Sequence, residues 1–228
     1  MIDKIFEPGW AEQLSAQYSS DKFAVLGQKI AHLRNTTTIY PEKENVFKAF
    51  KATPYDKVRV VVIGQDPYNE GSADGLAFSA SLNSSKCPPS LRLILEEIER
   101  SFPEEVKELH SGKIDPWDLS RWAEQGVFLT NTSYTVEKSK PGSHTIYWKA
   151  FFKAVVKALN KKPDLVWLLL GNEAKNFEPL ISNPTHAIVK AVHPAADLYS
   201  GISRFYGSSC FKHINEELEA RNKSKITW

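Results

Sequence analysis

Cysteine is scarce in this chain: Cys87 and Cys210 are the only two in 228 residues, and they stand far apart. That excludes a secreted disulfide framework and a Cys-based metal site, leaving two reduced thiols. The six histidines (His32, His110, His144, His186, His193 and His213) include no H-E-x-x-H pair. There is no C-x-x-C, and Asp66 lacks the acidic partner of a clustered two-metal site, so no metal is expected. Gly64 and Gly71 form neither a dinucleotide fingerprint nor a P-loop, and no cofactor is expected. Charge of one sign is not in excess. The 29 Lys plus Arg face 27 Asp plus Glu, a formal +2, which neither demands nor excludes a polyanionic partner. No run approaches 18 apolar residues, which argues against a membrane span. The opening stretch from Met1 to Leu14 carries an early acid and no apolar signal core. A cytoplasmic protein without a targeting segment is the expectation.

What is present is ordinary globular material. Apolar residues make up 42% and charged residues 25%, which excludes a disordered chain, a collagen and a long coiled coil. A chain of this size buries roughly 70% of its unfolded surface, enough for one domain over residues 1–228. Helices are expected over 11–18, 21–33, 45–50, 91–100, 145–160 and 211–221, most of them from apolar residues at helical spacing. Short apolar runs at 58–63, 127–130, 165–170 and 187–192 read as buried strands. Four such strands separated by helices give an α/β fold, a three-layer α/β/α sandwich around a central, mainly parallel four-stranded sheet.

Polar residues stand where three of those runs stop: Asp66, Asn131 and His193. Strand ends are where open α/β sheets build sites. A carboxylate can orient water or stabilise positive charge. An amide can pair with a planar heterocycle as donor and acceptor. An imidazole can donate to a leaving group that becomes anionic. The set suits cleavage of a base from a sugar, among other hydrolyses. Each residue also has a plainer reading: a turn Asp before Pro67, a turn-capping Asn, a loop His before Pro194. Gly207-Ser208-Ser209 reads equally as a turn or as an amide cradle for phosphate.

Together these residues carry a resemblance. Val61-Val62-Ile63-Gly64-Gln65-Asp66-Pro67-Tyr68 resembles the water-activating motif of family 1 uracil-DNA glycosylases. Gly75-Leu76-Ala77-Phe78-Ser79 follows at family-like spacing. Pro88-Pro89-Ser90-Leu91, the strand from Gly126 to Asn131 with Thr135-Val136, and Ser143-His144 come next. Leu168-Leu169-Leu170-Gly171 with Ala174, and His193-Pro194, complete the order. The likeness spans about residues 37 to 215, and its first motif is long and specific.

The resemblance implies roles residue by residue. Asp66 would position water and stabilise an oxocarbenium-like sugar as its carboxylate. His193 would hydrogen-bond uracil O2 as a neutral donor. Asn131 would read uracil N3 and O4, Phe78 would stack on the flipped base, and the Gln65 backbone would close the pocket. Tyr68 would stand against C5 and exclude thymine by clash. Ser90 would hold a compressed phosphate, with Lys138, Lys140 and His144 as outer contacts.

Three departures from the family pattern stand out. Position 69 is Asn where the family has His. The family's His-Pro-Ser-Pro-Leu-Ser loop is His193-Pro194-Ala195-Ala196-Asp197-Leu198-Tyr199-Ser200 here. Ungapped alignment puts Asp197 at the wedge, but a one-residue insertion, the preferred reading, makes it Leu198, helped by Tyr199 and followed by Ser200. No Gly-Ser phosphate loop precedes the last strand, where Ser182-Asn183-Pro184-Thr185 stands instead. The implied activity is removal of uracil from single- and double-stranded DNA by a monofunctional N-glycosylase in base-excision repair. The implied partners are uracil-containing DNA and a uracil-glycosylase inhibitor protein, and the implied state is a monomer. Altered base specificity, a catalytically weak uracil-DNA binder and a protein-interaction homologue stay open as alternatives.

Overall fold

The computed structural model describes residues 2–81, 84, 86–110, 115–200 and 204–228, without the side chains of 108–110 and 200. The strands are β1 (Ile39–Tyr40), β2 (Val60–Gly64), β3 (Val127–Asn131), β4 (Val136–Glu137), β5 (Val166–Leu170) and β6 (Ala187–Ala191). The helices are α1 (Pro8–Ser15), α2 (Ser20–Arg34), α3 (Lys48–Ala52), α4 (Pro89–Ser101), α5 (Pro103–His110), α6 (Ser120–Glu124), α7 (Thr145–Leu159), α8 (Gly171–Lys175), α9 (Ala196–Ser200) and α10 (Cys210–Ala220).

The central sheet runs β3-β2-β5-β6, and every neighbouring pair is parallel. Val60, Val61, Val62 and Ile63 are β-branched, which favours the pleated backbone. Each residue of β2, β3 and β5 is buried, whichever way it points. Burial at both parities means that both faces are covered by helices, so three layers follow. β6 lies at the edge, with Ile188 and Val189 half-buried and Lys190 exposed between its buried ends.

All four expected strands occur within two residues of their expected bounds. β1 and β4 form a separate antiparallel pair too short to leave a period-2 pattern. The expected helix at 45–50 is a 3-10 turn over Lys43–Asn45 followed by α3. The short helices α8 and α9 went unanticipated, because one turn carries too little periodicity to read. α5 begins with Pro103 at its N-terminus and acidic Glu104 and Glu105 in its first turn, a start signal next to a weak apolar stripe.

Because the strands are parallel, their C-terminal ends share one edge. β2 delivers Gln65 and Asp66 there, β3 delivers Asn131, β5 leads into Gly171, and β6 leads to His193. Residues more than sixty positions apart in sequence therefore meet through the sheet register.

Candidate active site

The β2–β3 ladder pairs Gly64 with Asn131. A Cβ on Gly64 would lie 2.3 Å from Asn131 Oδ1, so glycine is what admits the amide. Asn131 is 5% exposed, and its Oδ1 is buried with no hydrogen-bond partner among the described residues. A buried acceptor of this kind is costly unless something pairs with it.

Asp66 sits just past the end of β2. Its Oδ2 accepts the Gly142 N–H at 2.7 Å and the Gln65 side-chain amide at 3.1 Å. Its Oδ1 is buried and accepts nothing among the described residues. Burial pushes the Asp66 carboxyl above its ordinary value; the Gly142 and Gln65 hydrogen bonds act against that, and nearby Glu173 adds to it. One oxygen is thus fixed, while the other keeps its lone pairs for water or for a developing cation. Gln65 is itself held, since its carbonyl accepts Ser133 N–H and Thr132 Oγ1–H, both at 3.0 Å.

His193 follows β6. Ala195 N–H donates to its Nδ1 at 3.2 Å, so the neutral ring carries its proton on Nε2. Burial lowers its pKa, which keeps the ring neutral at pH 7. Gly171 makes room for it: at φ +83°, a Cβ there would come 2.8 Å from His193 Cβ. Nε2 is therefore a neutral donor on a fixed ring, suited to an oxygen that gains charge.

Two aromatic rings complete the pocket. Phe78 is buried, and its ring centroid lies 6.0 Å from that of His193. Its φ of +64° is costly for a residue with a Cβ, a strain that surrounding contacts must hold. The Tyr68 phenol donates to the Phe78 carbonyl at 3.2 Å. Burial pushes that phenol well above its ordinary range, reinforced by nearby acidic groups, while a backbone hydrogen bond from Leu91 acts the other way.

The Uracil DNA glycosylase superfamily profile matches residues 50–219. The chain belongs to this superfamily. A Listeria innocua "Uracil-DNA glycosylase 1" is 38% identical over 226 residues, covering 96% of each chain. A Borreliella burgdorferi "Uracil-DNA glycosylase" is 38% identical over 227 residues, covering 97% of each. Among solved structures, mimivirus uracil-DNA glycosylase superposes with a TM-score of 0.85 at 25% identity, covering 100% of this chain and 89% of that one. A mimivirus UNG variant in complex with UGI superposes at 0.84 with 26% identity, covering 100% and 90%.

In this superfamily member, the other expected contacts divide. Ser90 lies partly exposed in the first turn of α4, behind Pro88 and Pro89. Its hydroxyl, at the N-terminal end of the helix, suits an anion. Leu198 is 39% and Tyr199 88% exposed, whereas the Ser200 side chain lies outside the described residues. Asp197 is no wedge. Its carboxylate accepts the N–H groups of Arg204, Phe205 and Tyr206 at 2.8–3.0 Å, which turns it inward and leaves Leu198 and Tyr199 outermost.

His144 is corrected as an outer contact. It is 2% exposed, with Nδ1 2.8 Å from Thr135 Oγ1, which accepts the Trp148 indole N–H. Lys140 pairs with Glu137, while Lys138 is exposed. Gly207 and Ser209 give their amides to the buried Glu97 carboxylate, so they make no phosphate cradle. Ser182–Thr185 stands before β6, where Asn183 and Thr185 bind Asn160, Lys162 and Asp164. That is the sheet end opposite the site.

Sequence reasoning missed the Gly142 amide, although Pro141-Gly142 signals a turn. It also missed the space-making roles of Gly64 and Gly171. Nothing in the sequence links any of these to its partner across the fold.

Proposed function

We propose that this chain is a monofunctional uracil-DNA glycosylase, acting on single- and double-stranded DNA in base-excision repair. It hydrolyses the N-glycosidic bond of deoxyuridine, releasing uracil and leaving an abasic site. The observation that carries this reading is the convergence of Asp66, Asn131, Phe78 and a neutral His193 at one sheet edge. The core runs from Ile2 to Trp228 in one packed cluster, which supports a single domain.

The nucleotide must leave the stack to reach this depth. Phe78 takes one face of the base. Asn131 Oδ1 accepts uracil N3–H, which supplies the partner that this buried acceptor otherwise lacks, and its amino group donates to O4. Tyr68, fixed by its bond to the Phe78 carbonyl, stands against C5, where thymine carries a methyl group. As the glycosidic bond lengthens, negative charge gathers on uracil O2 and His193 Nε2–H donates to it. Positive charge spreads over the sugar, which the Asp66 carboxylate stabilises. Asp66 Oδ1 orients the water that adds to the sugar carbon, and Gly142 and Gln65 hold the carboxylate in place. No amine nucleophile takes part, so no lyase step follows.

On the DNA, Ser90 and the start of α4 take a phosphate, while Leu198 and Tyr199 enter the space of the extruded nucleotide. Asn69 supports the water-side loop by hydrogen bonding without bringing positive charge. The protein works as a cytoplasmic monomer, and a uracil-glycosylase inhibitor protein is a further partner. No helix of the described residues is long and apolar enough to cross a membrane.

The test is uracil release from matched single-stranded and duplex oligonucleotides with chelator present, comparing wild type with Asp66→Asn. Abasic sites are detected by alkaline cleavage. Cleavage confined to uracil DNA and lost in the variant is the expected result. Tight, selective binding of uracil DNA without cleavage by the folded wild type would leave a binder in its place.

A further inference from the structure

One buried carboxylate has no part in the chemistry above. Asp74 is 5% exposed and lies in the segment that leads from β2 to Phe78. Both of its oxygens are engaged. Oδ1 accepts the Leu76 N–H at 3.0 Å, and Oδ2 accepts the Ser79 hydroxyl and the Lys48 ammonium, each at 2.7 Å. The Ser79 oxygen in turn accepts the Leu119 N–H at 3.0 Å. Ala77 N–H reaches the Leu129 carbonyl of β3 at 3.1 Å, and Ala80 N–H reaches Trp117 at 3.0 Å. At the entry to the segment, Gly75 has φ +100°, and a Cβ there would lie 2.1 Å from the Asn45 carbonyl oxygen.

These contacts bracket Phe78. Asp74 holds the backbone two residues before it and the side chain one residue after it. Between those anchors the chain adopts a left-handed φ that a phenylalanine leaves unless both flanks are fixed. The Phe78 carbonyl, oriented by the same bracket, is what the Tyr68 phenol binds. Ring and wall thus depend on one carboxylate. A carboxylate is suited to this because it accepts from several donors at once, and Lys48 offsets the charge that burial would otherwise penalise.

We propose that Asp74, with Ser79 as its second anchor and Lys48 as its counter-ion, is a positioning residue that fixes the Phe78 ring and, through the Phe78 carbonyl, the Tyr68 wall. The inference rests on the reading of Phe78 as the surface on which the base stacks. Its effect falls on the held base, so it is independent of the DNA-inserting loop and is read on single-stranded DNA.

Four variants test it: Ser79→Ala, Asp74→Ala with Lys48→Met, Asp74→Asn with Lys48→Met, and Phe78→Ala. The readouts are kcat/KM for uracil release from a single-stranded oligonucleotide, inhibition by free uracil, thymine release, and Tm. Ser79→Ala and Asp74→Ala/Lys48→Met should each lose about 10-fold or more in kcat/KM, since a misplacement near 1 Å costs up to about 100-fold. Free-uracil inhibition should weaken in parallel, and thymine release should rise relative to uracil release. Asp74→Asn/Lys48→Met keeps an acceptor for Leu76 and a donor for the Ser79 oxygen without a buried unpaired charge. It should regain most of the loss. A merely structural Asp74 would lower Tm and leave uracil inhibition and the thymine-to-uracil ratio of the folded protein unchanged, which overturns the inference. Ser79→Ala leaves the ion pair intact and decides the matter if the Asp74 variants do not fold. Loss in Phe78→Ala without loss in the others refutes the positioning role alone. An inert Phe78→Ala refutes the stacking reading and the inference with it.

Discussion

Replacing Gly64 by alanine adds one methyl group where Asn131 needs its carbonyl. The new Cβ would lie 2.3 Å from Asn131 Oδ1, with Ala77 Cβ and Phe78 Cε2 each at 3.3 Å. Heavy atoms settle at about 3.5 Å or more, so the amide must retreat by about 1 Å. The contacts with Ala77 and Phe78 are themselves tight, which leaves the methyl little room to yield. Misplacement on that scale costs up to about 100-fold in rate, equivalent to about 2.7 kcal/mol of transition-state stabilisation. Overpacking costs about 1–3 kcal/mol of stability besides. The assay is kcat/KM on single-stranded uracil DNA at a temperature where thermal denaturation shows the variant folded. Gly27→Ala is the control, because a Cβ there meets nothing within 4 Å. It should leave activity intact and, in mid-helix, add up to about 1 kcal/mol of stability. A folded Gly64→Ala variant with wild-type turnover would refute the placement of Asn131 against the base.

Asp66→Asn should abolish turnover and raise Tm at pH 7 by about 2–4 °C. Burial raises the folded carboxyl pKa, so this group favours folding below its unfolded pKa, and that contribution is lost as pH rises through the folded value. The Tm gain should therefore shrink on acidification, and a variant less stable than wild type at pH 7 contradicts the argument. In a pH–rate profile, kcat/KM should fall in acid with an apparent pKa above the ordinary aspartate value. A limb at or below that value argues against a desolvated Asp66, and His193, lowered by burial, adds no loss near neutrality. Tyr68→Ala should raise thymine release by about 10-fold or more, measured by competition between thymine and uracil oligonucleotides; no rise sinks the wall assignment. Leu198→Ala and Tyr199→Ala should each slow duplex excision by about 10-fold while sparing single strands, where less unpairing must be driven. Equal losses on the two substrates refute insertion by that residue.

The fold and the inner site were legible for one physical reason. A parallel sheet carries the residue after each apolar run to a common edge, so Asp66, Asn131 and His193 could be placed from linear sequence. The surrounding loops obey no such rule. Leu198 could be preferred to Asp197 as the wedge only by assuming an inserted residue, because the choice turns on three amides at 204–206 that recruit the carboxylate. Ser182–Thr185 carried the right residue types for phosphate, but a segment that precedes a parallel strand lies at the far end of the sheet. His144 kept its place in the motif while its ring turned toward Thr135, a contact set by packing around Trp148. Asp74 gave no signal at all, since an acid before a glycine reads as a turn.

The inward turn of Asp197 has a consequence for how the protein can change. The chemical pocket hangs on the hydrogen-bond ladder of the sheet, where Gly64 faces Asn131 across β2 and β3. The exposed tip of α9 hangs on side-chain carboxylates instead, with Asp197 gathering amides at 204–206 and Glu97 those at 207 and 209. The two supports meet where the Ala195 N–H donates to His193 Nδ1. Substitutions of the exposed Leu198 and Tyr199 side chains can accumulate without moving Asp66 and Asn131, which the sheet and the Gly142 amide hold. Outer tip and inner site are thereby free to change at different rates within one chain.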